Sequence, residues 1–422
     1  MSLATATAAL SSARPSAGTV AVVAPYGDDG GHLSEYSRLG WECIAVALPD
    51  HERPAAYRDH TVAVPGYSAT VMHSGMRRTL KKLAARRIDL VIAGSGLGVG
   101  LTDRLSHALG LPGNDLGTTF VRTNRAVQAA ALADCQIASP PSMYSTDVMD
   151  ALRWADMVRY PSYIVAPADS SVTAQPVVCS TPDEVVTAWR WARRAAQYQA
   201  GSGEVMIQQQ IAGPQYLLQT VSGPSIGEHL VSSVWAEFRT DTQVHDRSVL
   251  LDRRGLLFRA LSIYALRVLP VLGIDHGAAR LRVAWCNQRG PVLLSARAFA
   301  QPSPAADYSP SVSHIAAAAR VATVAGLGRT SASAERAVMR VSLAVPADGC
   351  VLDAALLRTI ATLPTLTHLI QLAEPGHPLR KTLNRSSSPG ELVLAGSTRA
   401  VDEDYRLIRS IERVGLYEGR LR

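Results

Sequence analysis

Short apolar runs alternate with segments of helical periodicity in the first quarter of the chain. The runs at residues 19–25, 43–48 and 89–93 have the β-branched composition of buried parallel strands. Residues 76–87 and 101–109 carry apolar side chains at helical spacing. This alternation of strands and helices predicts an open α/β sheet.

The middle and end of the chain show a different pattern, in which apolar and polar side chains alternate residue by residue. This pattern predicts antiparallel strands, and the segments are 162–167, 205–209, 216–221, 230–238 and a hairpin of 281–286 with 292–295. Helices are predicted at 124–132 and 181–196. From residue 334 the pattern predicts a mixed unit with strands 338–345, 366–372 and 391–394 and helices 352–363 and 401–414. The predicted fold class is therefore α/β followed by α+β.

Composition narrows the class of protein. The 422 residues are 47% hydrophobic and 18% charged, and no run approaches the roughly 20 apolar residues of a membrane helix, so we expect a soluble protein without a membrane partner. The net charge of +7 is dispersed and aromatic residues make up 5%, so no nucleic-acid partner is expected. The five cysteines form no C-x-x-C pair, which favours a cytoplasmic location.

Two motif-like features carry little chemical signal. The glycine run at residues 94–100 follows a predicted strand, but Val99 occupies the third glycine position of a dinucleotide fingerprint. A tight strand-to-helix turn is the favoured interpretation. The histidines have no metal-ligand spacing, and among them only His276, in a glycine-flanked loop, is a candidate for ligand binding.

Several collinear segments resemble one family. The segments are residues 111–115 (LPGND), Asn124-Arg125, residues 160–167, residues 207–213 (IQQQIAG), residues 290–294 (GPVLL) and the tail from Pro375 to Arg409. Their order and spacing are similar to those of the ATP-grasp carboxylate–amine ligases, particularly the amino-acid and dipeptide ligases of natural-product biosynthesis. No single motif is specific, but the resemblance spans nearly the whole chain.

The resemblance implies a three-part ATP-grasp fold that clamps Mg-ATP, forms an acyl phosphate and lets an amine attack it. With the patterns above, it gives a predicted division of the chain: a disordered leader (1–18), a Rossmann-like preATP-grasp domain (19–115), a helical connector (116–144), a lid subdomain (145–212), an ATP-grasp core (213–330) and a C-terminal α+β extension (331–422).

The family's phosphate ligands are altered in this sequence. The first phosphate-contacting lysine of the family matches Arg125, which keeps the charge but has a planar fork of donors. The second matches Ala166, whose methyl group cannot donate to an anion. The lid loop over the phosphates matches residues 170–175, which contain no glycine. The hinge acids match Gln209 or Gln210, and the acid after the following glycine matches Gln215.

The magnesium ligands are altered as well. The positions expected to be acidic match Arg282 and Ser295, and no Asp or Glu lies between Asp275 and Asp307. A magnesium ion about 4 Å from a guanidinium is repelled by about 8 kcal/mol at an effective dielectric of about 20. We therefore predict no metal ligands at these positions.

Two hypotheses follow. In the first, the chain is a diverged ATP-grasp protein of amino-acid or natural-product metabolism, a pseudoenzyme with a degenerate active site. It has lost Mg-ATP ligation and acts as a binding or partner protein, or as a nucleotide-independent enzyme with an arginine-lined anion cleft. In the second, it is an active ATP-dependent carboxylate–amine ligase with substituted ligands.

The first hypothesis predicts no cofactor and the second predicts ATP and magnesium. The predicted site residues are Arg282 and Arg297 as catalytic, Arg125, Gln209 and Gln215 as cofactor-binding, and Arg280, Arg282, Arg297 and His276 as anion-binding. The expected partners are a small anionic or amino-acid-like ligand and a second copy of the chain or a biosynthetic enzyme.

Overall fold

The structure is a computed structural model of the 422-residue chain. It describes residues 17–27, 31–58, 66–223, 225, 227–240, 244–300, 313–323, 337–371, 373–383 and 387–418. Residues 1–16 of the predicted leader lie outside the described residues, and Gly18, its last predicted residue, already begins the first strand.

A four-stranded parallel sheet with its helices forms the first layer of the molecule. The elements are β1 (Gly18–Val23), α1 (Gly31–Arg38), β2 (Trp41–Ala47), β3 (Ala69–Met72), α2 (Met76–Ala84), β4 (Leu90–Ala93) and α3 (Val99–Leu109), with strand order β3-β2-β1-β4. Val20, Ile44 and Val46 are fully buried, as expected for parallel strands covered on both faces. A Cβ at Gly98 would lie 2.4 Å from the carbonyl oxygen of Val23, so the turn before α3 requires glycine.

A smaller antiparallel sheet follows two connecting helices, α4 (Thr119–Thr123) and α5 (Arg125–Asp134). Its elements are β5 (Ser142–Ser145), α6 (Val148–Val158), β6 (Tyr163–Pro167), β7 (Val177–Cys179), α7 (Pro182–Ala200) and β8 (Val205–Gln209), with strand order β5-β8-β6-β7. Helix α7 begins at a capping box, in which the Thr181 hydroxyl accepts from the Glu184 amide and Glu184 accepts from the Thr181 amide. We call this unit the lid.

The third layer is an eight-stranded antiparallel sheet in the order β13-β12-β9-β10-β11-β14-β18-β16. The first half of the layer contains β9 (Gln215–Ser222), β10 (His229–Arg239), β11 (His245–Leu250), α8 (Leu256–Val271), β12 (Gly277–Cys286), β13 (Gly290–Arg297) and α9 (His314–Thr323). The second half contains β14 (Ala337–Ser342), β15 (Cys350–Leu352), α10 (Ala354–Ala361), β16 (Leu366–Gln371), β17 (Pro378–Leu379), β18 (Gly390–Gly396), α11 (Thr398–Ile411) and β19 (Tyr417–Glu418). Strands β15, β17 and β19 form a separate small sheet.

Two contacts join these layers. Arg122, fully buried in α4, pairs with Asp103 of α3 at 2.6 Å and donates to the carbonyl of Gly273 at 2.7 Å, which ties the parallel sheet to the region after α8. Gly213 connects β8 of the lid to β9, and a Cβ there would lie 2.1 Å from the carbonyl oxygen of Trp285. With φ of +137°, this residue has to be glycine for the lid chain to approach the hairpin so closely.

The sequence pattern located most strands of the described residues but missed several helices. The strand 205–209 and the β12–β13 hairpin lie where they were predicted, and α5, whose N-cap is Asn124, covers the predicted helix 124–132. Helices α1, α6, α8 and α9 were not predicted from the pattern. Helix α8 is apolar on most sides, so it has no simple polar face to identify it by periodicity.

Candidate functional site

A cavity of about 850 Å³ lies between the lid and the eight-stranded sheet. Strands β6 and β8, helix α7 and the loop after β6 form one wall, and β9, β10, β12 and β13 form the other. Five of the seven sequence-predicted site residues line it: Arg125, Gln215, Arg280, Arg282 and Arg297. The site was therefore assembled from residues that are up to 172 positions apart in the chain.

The lid wall is apolar where the resembling family has a lysine. Ala166 is fully buried and packs with Ala126, Ala168 and Met206. These small side chains fill the space beside strand β6, so nothing in this cluster can donate a hydrogen bond to an anion. The neighbouring lid wall offers Ile164 and Val178 to the cavity.

The lid loop, residues 168–175, is fixed by main-chain contacts. The Ser170 amide donates to the carbonyl of Thr123 at 2.7 Å, and the Ser171 amide donates to Asp169 Oδ1 at 2.7 Å. A Cβ at Gly96 would lie only 2.3 Å from Ser171 Cβ, so the glycine turn of the parallel sheet packs directly on this loop. The glycine-free loop is therefore docked against both neighbouring layers.

Two arginines of the cavity converge on that loop. Arg125 Nη2 donates to the carbonyl oxygen of Val172 at 2.9 Å, and Arg297 Nη2 donates to the same oxygen at 2.8 Å. Arg125 also donates to the carbonyl of Pro167. Within the described part of the chain neither guanidinium has a carboxylate at salt-bridge distance, so both are cations held by carbonyl dipoles.

The electrostatic cost of this arrangement appears in the pKa values. Burial, aided by the nearby Arg125 and Arg282, lowers the pKa of Arg297 to about 9. Burial also lowers the pKa of Arg125 to about 10, with Asp169 acting in the opposite direction. Both shifts mean that the protein environment disfavours these charges, and an anion in the cavity would relieve the cost.

The sheet wall carries the remaining predicted arginines. Arg280 of β12 faces Arg297 of β13 across the antiparallel ladder, and Arg282 faces Ser295. Arg280 and Arg282 lie on the same face of β12 because they are two residues apart. The structure thus brings Arg280, Arg282 and Arg297 together on the cavity side of the sheet, as the sequence pattern predicted.

An acidic residue that the sequence reasoning missed stands beside them. Glu237 of β10 lines the cavity, its side chain is 4% exposed, and its Oε2 lies 3.1 Å from Arg282 Nη2. Burial alone would raise the pKa of Glu237, but Arg282, aided by His245, Arg239 and Arg280, lowers it to about 2. The alternation of residues in β10 predicts that Glu237 lies on the same face as Trp235. It does not predict that Arg282 lies nearby, because that depends on the order of the strands in the sheet.

A magnesium ion does not fit this donor set. The two positions that match the family's carboxylate ligands are a guanidinium and a hydroxyl, and the nearest carboxylate, Glu237, is already paired with Arg282. Among the described residues no group of three or more His, Cys, Asp and Glu side chains is placed to hold a metal ion. Asp246 of β11, another carboxylate of the eight-stranded sheet, pairs with Arg409 at 2.6 Å.

A nucleotide base or another flat amide-bearing group fits the opposite end of the cavity. Gln208 of β8 is 3% exposed, lines the cavity, and its Oε1 has no hydrogen-bond partner in the described structure. Apolar contacts come from Ile164, Met206 and Ile211. This end therefore offers an apolar slot with one unused acceptor, which suits a planar group that carries an N–H donor.

Two predicted site residues lie elsewhere. The Gln209 side chain is outside the cavity and accepts from Arg289 at 3.2 Å. His276 lines a second cavity of about 200 Å³, beside β4 and α9, and its main chain is held by Asn114. Burial lowers the pKa of His276 from its usual range. Neither residue contributes to the arginine-lined cleft.

Comparison with known proteins supports the fold. An L-amino acid ligase from Bacillus licheniformis superposes with a TM-score of 0.70 over 93% of this chain and 97% of that chain, at 15% sequence identity. An N5-carboxyaminoimidazole ribonucleotide synthetase in an ADP complex gives 0.66 over 94% and 96%, at 12% identity. A phosphoribosylglycinamide synthetase from Anaerococcus prevotii gives 0.59 over 96% and 100%, at 12% identity.

No family model matches the sequence, and no curated protein matches it significantly. The structural matches nevertheless extend along nearly the whole chain, and they establish that it has the ATP-grasp fold. The resemblance on which the sequence analysis relied is thereby confirmed at the level of the fold. In the described part of the chain, no helix combines the length and hydropathy needed to cross a membrane.

Proposed function

We propose that this ATP-grasp-fold protein binds a phosphorylated, nucleotide-like ligand in the cleft between lid and sheet without magnesium, and that it does not carry out the magnesium-dependent ligase reaction. The observation that carries the proposal is that Arg280, Arg282 and Arg297 line the cavity from two paired strands, with Arg282 and Ser295 at the positions where the resemblance implies metal-binding carboxylates. Fixed guanidiniums bind phosphate oxygens directly, and they repel a divalent cation.

Two sets of residues would bind two different parts of the ligand. Arg125 and Arg297 would bind the anionic group, because they are buried cations whose present partners are only carbonyl oxygens. Gln208 would accept from the planar group at the other end, and Gln215 lies between the two ends on β9. The lid supplies apolar contact at Ala166, which adds burial and no charge.

Calorimetry with ATP, ADP and AMP tests the proposal. Each nucleotide is titrated into the full chain in EDTA and again in excess magnesium. The expected result is binding in EDTA that magnesium leaves unchanged or weakens, because the metal screens the phosphates from the arginines. A tenfold gain in ATP affinity on adding magnesium, equivalent to about 1.4 kcal/mol of coupling, would show that a metal site exists.

The second candidate is an active carboxylate–amine ligase, and the comparisons taken alone favour it. The similar structures are those of a ligase and of synthetases, and they cover nearly the whole chain. The cleft also retains two carboxylates, Glu237 and Glu391. On this candidate the arginines would stabilise phosphate charge during transfer and the metal would use carboxylates other than those at positions 282 and 295.

A product assay separates the two candidates. The protein is incubated with ATP, magnesium and mixtures of amino acids, and ADP and amide products are measured by chromatography. The first proposal expects no ADP above the background of a heat-treated sample. Turnover near one per second, with an amide or peptide product, would establish the ligase.

A further inference from the structure

One ion pair, between Glu237 and Arg282, lowers the net positive charge of the cleft. Arg282 and Glu237 lie on β12 and β10, the two strands that flank β9, and their side chains meet at 3.1 Å on the cavity side. Glu237 is 4% exposed and Arg282 is 27% exposed, so the carboxylate is buried beneath a guanidinium that reaches the cavity. Arg282 is therefore a cation whose charge is largely cancelled from within the protein.

The other two arginines differ from Arg282 in this respect. Arg125 and Arg297 have no carboxylate at salt-bridge distance in the described part of the chain, and both donate to Val172. Asp169 is near them, but its Oδ1 already accepts from the Ser171 amide. Among these three arginines, two lack a carboxylate at salt-bridge distance in the described part of the chain and one is neutralised. Arg194, Arg239 and Arg280 also line the cavity.

We propose that Glu237 is a specificity-determining residue, which neutralises Arg282 and thereby makes the cleft favour a phosphate monoester or diphosphate over a metal-free triphosphate. This inference rests on the proposed function, because it concerns the ligand of the same cleft. A triphosphate without magnesium carries up to about four charges, so repulsion by Glu237 and the loss of Arg282 as a donor cost it more affinity than they cost a monoester.

Glu237 lowers the affinity of the cleft for highly charged anions. Its carboxylate is ionised, so it repels an incoming anion and also withdraws the Arg282 guanidinium from the ligand. Removing the carboxylate releases one cation toward the cavity and removes one repulsive charge. Both changes favour the more highly charged ligand, and both act on affinity without requiring a change in the fold.

The experiment measures the affinities of AMP, ADP and ATP in EDTA at fixed salt for the full chain and its variants. The wild type is expected to bind AMP and ADP at least as tightly as ATP. Glu237→Gln is expected to raise the ratio of ATP to AMP affinity at least tenfold. Glu403→Gln is the matched control, because it removes the same charge from a Glu–Arg pair on exposed α11, 2.7 Å from Arg399, and should leave the ratio within threefold.

A double-mutant cycle tests the pairing itself. Arg282→Gln should weaken ATP binding at least tenfold, because it leaves Glu237 ionised and unpaired beside the ligand, and Glu237→Gln in the same chain should restore most of that loss. Thermal unfolding of every variant verifies that it is folded, and Glu237→Asp, which keeps the charge, should behave like the wild type.

Two outcomes overturn the inference separately from the proposed function. If the wild type binds nucleotide in EDTA but Glu237→Gln leaves the ATP-to-AMP ratio unchanged, Glu237 does not set specificity while the cleft still binds anions. If neither the wild type nor Glu237→Gln binds any of the three nucleotides, the proposed function fails and the inference fails with it.

Discussion

The two walls of the cleft differ from each other in charge. The lid wall is uncharged at Ala166, which lies in an apolar cluster with Ala126 and Met206. The sheet wall carries fixed charge, because Arg280, Arg282 and Arg297 line the cavity from β12 and β13. One wall therefore contributes packing and the other contributes electrostatics.

This difference teaches that the two walls accommodate their side chains in different ways. A lid strand tolerates alanine because neighbouring small residues close the space, whereas a sheet strand tolerates arginine because its side chain can extend along the cavity to a partner such as Glu237 or the Val172 carbonyl. The following predictions test that division, beginning with the largest expected effect.

Ala166→Lys should break the lid wall. The lysine would overfill a fully buried cluster and place an ammonium group among alanines, so we expect a loss of about 4 kcal/mol in the free energy of unfolding. Urea unfolding measures this loss. The control is Ala174→Lys in the half-buried part of the lid loop, which should cost less than about 1 kcal/mol. ADP release by Ala166→Lys would show that the lid wall alone had been the obstacle to catalysis.

The pH dependence of stability tests how helix α9 packs against strand β9 of the sheet wall. His314 of α9 is fully buried, and one of its ring nitrogens, Nε2, lies 2.9 Å from the carbonyl oxygen of Thr220 on β9. Burial lowers the pKa of His314 to about 4, so the unfolded chain binds a proton between pH 6.5 and 4 that the folded chain does not. Stability is therefore lost as the pH falls through this window, by about 3 kcal/mol at its lower end.

His314→Gln should flatten that profile, because it removes the group that takes up the proton on unfolding. The exposed His107 of α3 provides the control, and His107→Gln should leave the steep profile intact. Urea midpoints between pH 7 and pH 4 measure both. Parallel profiles for wild type and His314→Gln would rule out this histidine as the cause.

Arg297→Met should weaken the sheet wall without unfolding it. The change removes one of two guanidiniums that share the Val172 carbonyl and relieves the repulsion on Arg125, so folding stability should change by less than about 1 kcal/mol. ADP affinity in EDTA should fall about 30-fold, since a charge-assisted contact is worth about 2 kcal/mol. Arg267→Met, on an exposed position of α8, should leave the affinity as it is. A variant that binds ADP like the wild type would place the anion elsewhere.

Gln199→Leu should have the smallest effect, and it concerns the lid loop. Gln199 Oε1 accepts from both the amide and the hydroxyl of Thr173 at 2.9 Å. Loss of these exposed hydrogen bonds should cost about 0.5 to 1 kcal/mol locally and speed hydrogen exchange in residues 170–175 two- to fivefold. Gln197→Leu, two residues from Gln199 on another face of the same helix, should leave the exchange unchanged. No acceleration in Gln199→Leu would mean that the arginines alone hold the loop.

The sequence determined the strands whose pattern is local and strong. Alternation identified β8, β9 and the β12–β13 hairpin, and it placed Arg280 and Arg282 on one strand face. The sequence alone also shows that no acid lies between Asp275 and Asp307, a stretch that includes both strands of this hairpin. These inferences succeed because side-chain direction in a strand depends on residue spacing alone. The collinear motifs supplied the fold itself, which the structural matches confirm.

The tertiary structure alone decided which distant residues share the cleft. Glu237 reaches Arg282 only because β9 lies between their strands, and the Val172 carbonyl meets Arg125 and Arg297 only because the lid loop folds back onto the core. Gln209 shows the same limit in reverse, because it lies outside the cavity while its neighbours Gln208 and Gln210, the second of which was the alternative match, line it. A charge pair or a strand face depends on sheet order and register, which are set by the packing of the whole chain and leave no mark in the local pattern of residues.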